Sequence, residues 1–297
     1  MKNLKTLAVL GLTAVVSLGL VACGSSTQAA SDTTDATTAA ASAETDQVYR
    51  TLDEIKESGE INIGVFSDKS PFGYVDEKGD YQGYDVYFAN RLAEDLGVKA
   101  NFVSTEAANR IEYLQTGKVD VILANFTVTD ERKEEVDFAL PYMNVSLGVV
   151  SPADKVVTNL DDLTADDPLI VISGTTAETY LIENYPNLTL QKYDTYANAK
   201  NALENGNGVA WVNDNTEVLA FASENEGYQV GIATLGSKDT IAPAVTKGNQ
   251  TLLDGINEEI KSLGEEQFFH KDYEETLVTT YGADYVNELV VEGGVTE

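Results

Sequence analysis

Apolar and polar residues follow two different periods along this chain, and the two periods alternate. Ile61-Asn-Ile-Gly-Val65 changes between apolar and polar at nearly every residue, which is typical of a half-buried strand. Residues 84–96 repeat at helical spacing instead and end at Gly97, a residue that favours the conformation closing a helix. Further strands are predicted at 98–103 and 119–123, with a short helix at 108–115 between them.

The second half of the chain repeats this alternation. Its pattern predicts strands at 169–172, 188–193 and 209–212 and helices at 175–184, 196–203 and 216–223. Beyond residue 246 the period is helical again, with an apolar stripe that we assign to core packing. Alternating strands and helices indicate an α/β fold, and two units of similar size suggest two lobes rather than one sheet.

The N-terminal residues have the features of an export signal. Lys2 and Lys5 precede an apolar run from Leu7 to Leu20, which is too short for a membrane-spanning helix. Leu20-Val-Ala-Cys23 resembles a bacterial lipobox, in which the cysteine is lipidated and begins the mature protein. We therefore expect a signal peptide at 1–22 and a protein outside the cytoplasm, held to the outer face of the cell membrane by its N-terminal lipid only. A plain signal peptide with an incidental cysteine is the alternative.

Residues 23–48 are predicted to form a flexible tether. Positions 24–46 are nearly all Ser, Thr, Ala, Gly, Gln, Asp and Glu, a composition that cannot bury a core. The folded part is therefore expected to begin close to Tyr49.

Charge and cysteine content exclude several classes of protein. With 49 acidic and 19 basic side chains, the net charge of −30 argues against binding to nucleic acid or to anionic lipid surfaces. Cys23 is the only cysteine, so a disulfide within the chain and metal sites built on paired cysteines are excluded. A small anionic ligand remains compatible, because one buried arginine can outweigh a diffuse, salt-screened surface charge.

The loop after the strand at 119–123 carries the most suggestive chemistry. Ala124-Asn-Phe-Thr-Val-Thr-Asp-Glu-Arg132 offers an amide, two hydroxyls and one guanidinium within nine residues. Arginine binds a carboxylate through two parallel charge-assisted hydrogen bonds, so Arg132 is a candidate anchor for a carboxylate ligand. The alternative is that Arg132 belongs to a solvated charged turn at 130–135.

A set of short motifs resembles one known family. The motifs appear in the family's order at Pro71-Phe-Gly-Tyr74, Gly83-Tyr-Asp85, Gly117-Lys-Val-Asp120, Thr129-Asp-Glu-Arg132, Phe138-Ala-Leu-Pro-Tyr142, Gly174-Thr-Thr176 and Asp214. In these motifs the chain is similar to the solute-binding lipoproteins of polar amino acid ABC transporters, bacterial extracellular solute-binding family 3, and within that family most similar to the cysteine-binding branch. The branch resemblance rests on Asn109-Arg110, Asn125-Phe-Thr127, Ser146 to Pro152 and Phe268-Phe-His270.

The resemblance implies a periplasmic-binding-protein-like fold, in which two hinge strands join two α/β lobes around the ligand. Lobe 1 would comprise residues 49–147 and 244–297, and lobe 2 residues 151–241. The crossings would fall at 148–151 and near 241–244. The implied partners are a free amino acid, which the protein would deliver, and the permease that receives it. We expect a monomer that uses no cofactor and no metal.

The resemblance also implies roles for individual residues. Arg132 would clamp the ligand carboxylate with help from Thr127 and Asn125, and Thr175 and Thr176 would add helix N-terminal N–H groups from the other side. Asp214 would accept the ligand ammonium. The alternatives are an ordinary capped turn for Thr175 and Thr176, and a helix N-cap for Asp214. Neighbouring Asn213 and Asn215 could also fill the role given to Asp214.

Phe66, Lys69, Phe72 and Arg110 are predicted to surround the ligand side chain. An aromatic ring there suits a sulfur-bearing side chain such as that of cysteine, our preferred ligand. The two basic residues could instead bind a second carboxylate, as in an aspartate- or glutamate-binding protein. A neutral ligand would therefore require a carboxylate such as Glu112, Asp68 or Asp85 to offset them. The alternative for Lys69 is a solvated loop lysine. The alternative for Arg110 is a helix-terminal salt bridge with Asp or Glu.

Two other classes of function fit the sequence less well. Some proteins of this fold are dehydratases, but the chain has one histidine, His270, outside the proposed cleft, and no nucleophile motif or phosphate loop. No catalytic residue is therefore assigned. A receptor-type sensing module is disfavoured by the lipobox and by the lack of a C-terminal signalling or membrane segment.

Overall fold

The computed structural model describes residues 48–296. The predicted signal peptide, the predicted lipidation site Cys23 and nearly all of the predicted tether lie outside these residues. Within residues 48–296, no helix has the length and apolarity that crossing a membrane requires.

Strands and helices alternate along the described residues, as the sequence pattern predicts. The strands are β1 (Glu60–Val65), β2 (Asp68–Lys69), β3 (Gly73–Val75), β4 (Tyr81–Gln82), β5 (Lys99–Ser104), β6 (Val121–Ile122), β7 (Val136–Phe138), β8 (Met143–Pro152), β9 (Leu169–Ile172), β10 (Leu190–Tyr193), β11 (Ala210–Asp214), β12 (Tyr228–Ile241) and β13 (Ala244–Thr246). The helices are α1 (Leu52–Ser58), α2 (Tyr84–Leu96), α3 (Arg110–Gln115), α4 (Asp130–Glu135), α5 (Thr176–Asn184), α6 (Tyr196–Glu204), α7 (Asn215–Glu224), α8 (Gln250–Glu265), α9 (Phe268–Thr276), α10 (Val278–Tyr281) and α11 (Val286–Leu289).

The first of two five-stranded sheets has the order β5-β1-β6-β13-β7. Strand β1 pairs in parallel with β5 and β6, whereas β13 runs antiparallel to β6 and β7. A separate three-stranded sheet, β2-β3-β4, follows β1 and carries Lys69. The loops after β1 and β6 therefore emerge at the same edge of the first sheet, because parallel strands end together.

The second sheet has the order β10-β9-β11-β8-β12. Its two longest strands, β8 and β12, pair antiparallel from Met143–Ile241 to Pro152–Tyr228, with three register shifts. The chain passes between the sheets where β12 ends at Ile241 and β13 begins at Ala244. The lobe boundaries at 49–147, 151–241 and 244–297 and the hinge crossings stay predictions.

Helix α2 shows why the apolar period predicted the helices well. Val86, Ala89, Leu92 and Ala93 are buried on one face, and Gly97 closes the helix at φ 71°. Helix α8 buries the stripe predicted beyond residue 246, at Leu252, Ile256, Ile260 and Leu263. Both stripes join the same apolar core beneath the first sheet.

Some predicted elements differ from the observed ones at their ends. The strand predicted at 119–123 contains only β6, because the chain then turns and Asn125 adopts φ 45°. The helix predicted at 108–115 is a 3₁₀ turn at 107–109 followed by α3. The strand predicted at 209–212 extends to Asp214, which therefore ends β11 immediately before α7.

Candidate functional site

Arg132 is buried and directed inward from α4. Thr129 caps this helix by accepting the Arg132 backbone N–H, and the Arg132 side chain then packs over the Phe126 ring at 4.7 Å. Its Nη1 donates to Thr127 O at 2.8 Å and its Nη2 to Gly174 O at 2.9 Å. The interpretation of residues 130–135 as a solvated turn is therefore wrong for Arg132, which is only 9% exposed.

The Arg132 guanidinium contacts two loops, one after a strand of each five-stranded sheet. Thr127 lies after β6 of the first sheet, and Gly174 lies after β9 of the second. Burial and the nearby Arg110 lower the pKa of Arg132. The group stays protonated because a guanidinium loses its proton only at strongly alkaline pH. Its terminal nitrogens carry further N–H groups, so the guanidinium can donate hydrogen bonds to a carboxylate while it keeps its bonds to the two carbonyls.

Arg110 is buried at the start of α3 and is held by backbone carbonyls. Its Nε donates to Ala107 O, its Nη1 to Ala124 O and Asn125 O, and its Nη2 to Gly174 O, at 3.0 to 3.2 Å. Within residues 48–296 it forms no salt bridge with Asp or Glu, so the predicted alternative of a helix-terminal pair is wrong. The carbonyls position the guanidinium without cancelling its charge.

Lys69 is fully buried beside Asp214. Its Nζ donates to Asp214 Oδ2 at 2.7 Å and to Asn125 Oδ1 at 2.6 Å. Burial opposes the charged form, but Asp214, Tyr196 and Glu217 together outweigh it and raise the pKa of Lys69. The alternative of a solvated loop lysine is therefore wrong. The rings of Tyr196, Phe72 and Phe66 surround Nζ at 4.9, 5.4 and 5.7 Å.

Asp214, which was not among the three carboxylates suggested by the sequence, makes the direct contact with Lys69. Glu112 is exposed, and Asp68 accepts the Ala197 N–H instead. Asp85 is near enough to interact electrostatically with Lys69 and Arg110, but Asp214 makes the contact. The two residues are 145 positions apart, so local sequence could not reveal the pair.

Asp85 is buried and fixes the backbone of Asn125 through a hydrogen bond. Its Oδ2 accepts the Asn125 N–H at 2.8 Å and its Oδ1 the Tyr142 hydroxyl at 2.6 Å. These contacts hold Asn125 in its left-handed conformation, which an asparagine tolerates better than most residues. Burial raises the pKa of Asp85 to about 7, although the hydrogen bond from Tyr142 and the charge of Lys69 oppose the shift.

The N-terminus of α5 lies beside Arg132. Thr175 is the N-cap: its Oγ1 accepts the Glu178 N–H and donates to Ile172 O. The capped turn is thus real, and it leaves the Thr176 and Ala177 N–H groups without a hydrogen-bond acceptor among residues 48–296. Gly174 precedes them at φ 77°, where a Cβ would lie 2.6 Å from Ala108 Cα.

Asp214 provides a buried carboxylate at the junction of β11 and α7. It occupies the N-cap position of α7, but its side chain caps no backbone N–H, so the simple N-cap interpretation is wrong. Asn213 Oδ1 accepts the Asp214 N–H, and Asn215 Oδ1 accepts the Ser146 and Thr216 N–H groups. Both neighbouring amides are therefore engaged by the backbone.

These residues enclose a small polar cavity. The atom-free space between them is about 180 Å³, and it is too narrow for a water-sized sphere. Arg132 and Thr176 also border a wider outer groove, in which the space open to a water-sized sphere is about 610 Å³. The cavity is lined by Arg110, Asn125, Thr127, Arg132, Thr175, Thr176, Tyr196 and Asp214.

Three of the predicted side-chain contacts lie behind the cavity wall, and one wall residue was missed. Lys69, Phe66 and Phe72 do not line the cavity. Lys69 contacts Tyr196 and Asn125, Phe66 packs against Tyr196, and Phe72 packs against Lys69. Tyr196, at the start of α6, was not predicted. Its ring packs edge-on against Phe66 at 5.1 Å and against Trp211 at 6.5 Å between centroids. An aromatic residue opening a helix next to a strand end was the only signal for it.

Comparison with known proteins agrees with this geometry. The sequence profile of the bacterial extracellular solute-binding proteins, family 3, matches residues 61–276. The chain is 30% identical to the ABC transporter glutamine-binding protein GlnH of Bacillus subtilis, over 93% of this chain and 98% of that protein. It also resembles the crystal structure of the solute receptor for L-cysteine of Neisseria gonorrhoeae, with 48% identity and a TM-score of 0.80 over 82% of this chain and all of that one.

A second cysteine-binding protein, from Campylobacter jejuni, is 48% identical with a TM-score of 0.79, over 81% of this chain and 98% of that one. These likenesses confirm the predicted two-lobed fold and the resemblance on which it rested. A further similar structure, at 32% identity and TM-score 0.70, is an ancestral amino acid-binding protein described as a precursor of cyclohexadienyl dehydratase. The match covers 76% of this chain and 98% of that one.

Residues 48–296 hold no cluster of side chains suited to a metal ion.

Proposed function

We propose that this chain, which belongs to the bacterial extracellular solute-binding proteins of family 3, captures a free polar amino acid and delivers it to the permease of an ABC importer. The relatives are solute-binding proteins, and we propose the same non-enzymatic role here. Cysteine is the preferred ligand, because two solved proteins at 48% identity are named for binding it.

The observation that carries the proposal is the position of Arg132. Its guanidinium is buried between the loops of the two sheets, beside the N-terminal N–H groups of α5. A carboxylate is the group that satisfies both donors at once. Asp214 lies on the same cavity, where an ammonium can compete with Lys69 for its oxygens. Carboxylate and ammonium sites on one small cavity match an α-amino acid.

An aspartate- or glutamate-binding protein is the second candidate. Lys69 and Arg110 are both buried, and each could pair with an additional carboxylate. The 48% identity to two proteins named for binding cysteine favours cysteine over this candidate. The dehydratase alternative is supported by no specific arrangement of side chains in the described residues, and we do not propose it.

The proposal includes the location of the protein. Its support is the sequence of residues 1–23: an export signal followed by a cysteine at a lipobox position. We propose a lipid-anchored monomer on the outer face of the cell membrane, acting without cofactor.

A ligand screen tests the function. The full-length protein is heated with each of the twenty amino acids or with cystine, and the unfolding midpoint is recorded under reducing conditions except for cystine. A ligand present at about 100 times its Kd stabilises the fold by about 2.7 kcal/mol. The largest shift is expected with cysteine. A dominant shift with aspartate or glutamate would replace the ligand but keep the function, whereas no shift with any amino acid would contradict the function itself.

A further inference from the structure

The buried charges of the site do not balance. Lys69, Arg110 and Arg132 are cations, and they face the carboxyl groups of Asp214 and Asp85. Even when both carboxyl groups are ionised, one buried positive charge is left over. When Asp85 is protonated, the excess is two. An unpaired charge in a protein interior is costly, so the site favours a ligand that supplies the missing negative charge.

The other ionisable groups nearby do not supply that charge. Glu217 is buried behind Lys69 but is paired with Lys200 at 2.9 Å. Tyr196 and Tyr142 are neutral phenols, because burial raises the pKa of Tyr196 to about 12 and that of Tyr142 well above its ordinary value. Glu131, on α4 beside Arg132, has an exposed side chain surrounded by solvent.

A zwitterionic amino acid cannot correct the imbalance. Its carboxylate and ammonium cancel, so the buried excess is the same before and after binding. A ligand with one further negative charge on its side chain removes it. In cysteine that group is the thiol, whose pKa of about 8.5 falls when lysine or arginine side chains are close.

The cavity also contains an unused donor for an anionic atom. Lysine only donates, so the Asn125 oxygen must face Lys69 Nζ, which places Asn125 Nδ2 on the opposite side of the amide. Nδ2 is buried and has no hydrogen-bond partner among residues 48–296. Because Asn125 lines the cavity, this N–H₂ group can donate to a ligand side chain there.

We infer that the site takes its ligand with a net charge of −1 and therefore binds cysteine as the thiolate, with the thiol proton released to solvent. This inference rests on the proposed function. It adds a basis for selectivity, because serine has nearly the same size but its hydroxyl does not ionise. Sulfur is distinguished from oxygen by charge as well as by contact with aromatic rings.

Calorimetry and pH separate this inference from the proposed function. Cysteine is titrated into the full-length protein with a phosphine reductant at pH 6.5, in buffers of different ionisation enthalpy. About one proton should be released per ligand bound. Serine is the matched control, because titration of Asp85 or other protein groups affects both ligands alike. The ratio of the serine Kd to the cysteine Kd should rise about tenfold per pH unit from pH 6 to pH 8, below the free thiol pKa.

Two variants test the source of the effect. Lys69→Met removes a buried cation, and Lys133→Met removes an exposed one, whose side chain is 53% exposed and paired with Asp130. Proton release should fall clearly in Lys69→Met and stay near one in Lys133→Met. Should Lys69→Met fail to fold, the pH dependence of the serine-to-cysteine ratio in the wild-type protein still decides the question.

The outcomes are distinct. Tight cysteine binding without proton release, and with a pH-independent serine-to-cysteine ratio, would overturn the thiolate inference and leave the proposed function standing. Unchanged release in a folded Lys69→Met variant would overturn the charge argument. No cysteine binding at any pH, with another amino acid bound, would overturn both the cysteine assignment and the thiolate inference.

Discussion

Replacing Arg132 with alanine should weaken amino acid binding severely while the protein stays folded. In the structure the Arg132 guanidinium makes two hydrogen bonds, both to backbone carbonyls, and no salt bridge within the described residues. Losing them costs about 0.5–1.5 kcal/mol each at most, and the loss is offset because a buried cation is removed with them. The main effect is therefore expected on ligand binding.

The size of that effect follows from the bonds that the ligand would form. A carboxylate bound to the terminal nitrogens gains two charge-assisted hydrogen bonds, each worth about 1.5–3 kcal/mol. Part of this is spent on removing water from the carboxylate and fixing the ligand. We expect a net loss of about 2–4 kcal/mol in Arg132→Ala, which is roughly a 30- to 1000-fold weaker Kd.

Isothermal titration calorimetry measures the change directly. Arg132→Lys is the informative second variant, because it keeps the charge but loses the planar fork, and its Kd should lie between those of wild type and Arg132→Ala. Arg91→Ala is the matched control: it removes an arginine whose partners are the surface carboxylates Asp95 and Glu266. An Arg132→Ala protein that is folded and binds with wild-type affinity would refute the carboxylate assignment.

Three further predictions concern the anchor, the lobes and a buried carboxylate. Cys23→Ala should move the protein from the membrane fraction to the soluble fraction in cell fractionation; persistent membrane association would reveal another anchor. Saturating ligand should reduce the radius of gyration in small-angle X-ray scattering, because Arg132 and Thr176 approach the ligand from different loops; an unchanged radius would contradict closure. Because the pKa of Asp85 is raised to about 7, its stabilising contribution is complete below about pH 4 and is lost as pH rises through 7. The free energy of unfolding of Asp85→Asn, measured with urea, should therefore rise relative to wild type between pH 4 and pH 7, and parallel profiles would show that Asp85 does not titrate in this range.

The elements of the fold that were predicted well are those with a clean apolar period. The bounds of α2 at 84–96 and of β9 at 169–172 agree with the structure, because one face of the helix and the whole strand are buried. Strand β12 was not predicted. Most of its side chains are only partly buried or exposed, and three register shifts interrupt any regular alternation. Its conformation is set by pairing with β8, which no local pattern encodes.

The residues of the site also divide into those that the sequence predicted and those that it could not. Arg132, Thr127 and Asp214 could be proposed from motifs, because each lies next to a strand end that the apolar pattern located. The contact between Lys69 and Asp214 could not, because it depends on how two distant segments meet. The burial of Lys69 could not be predicted from the sequence either, because a lysine in Ser67-Asp-Lys-Ser70 has the sequence surroundings of a solvated loop. The rings of Phe66, Phe72 and Tyr196 pack around it in the folded protein, where it is fully buried.

Trp211 gives this protein a built-in optical probe. It is the only tryptophan in the chain, it is fully buried in β11, and its ring meets Tyr196, which lines the cavity. All tryptophan fluorescence therefore originates at one ring that is separated from the cavity by a single side chain. Binding kinetics can be followed by stopped-flow emission without attaching a dye, and a Tyr196→Phe variant keeps the ring contact while removing only the hydroxyl.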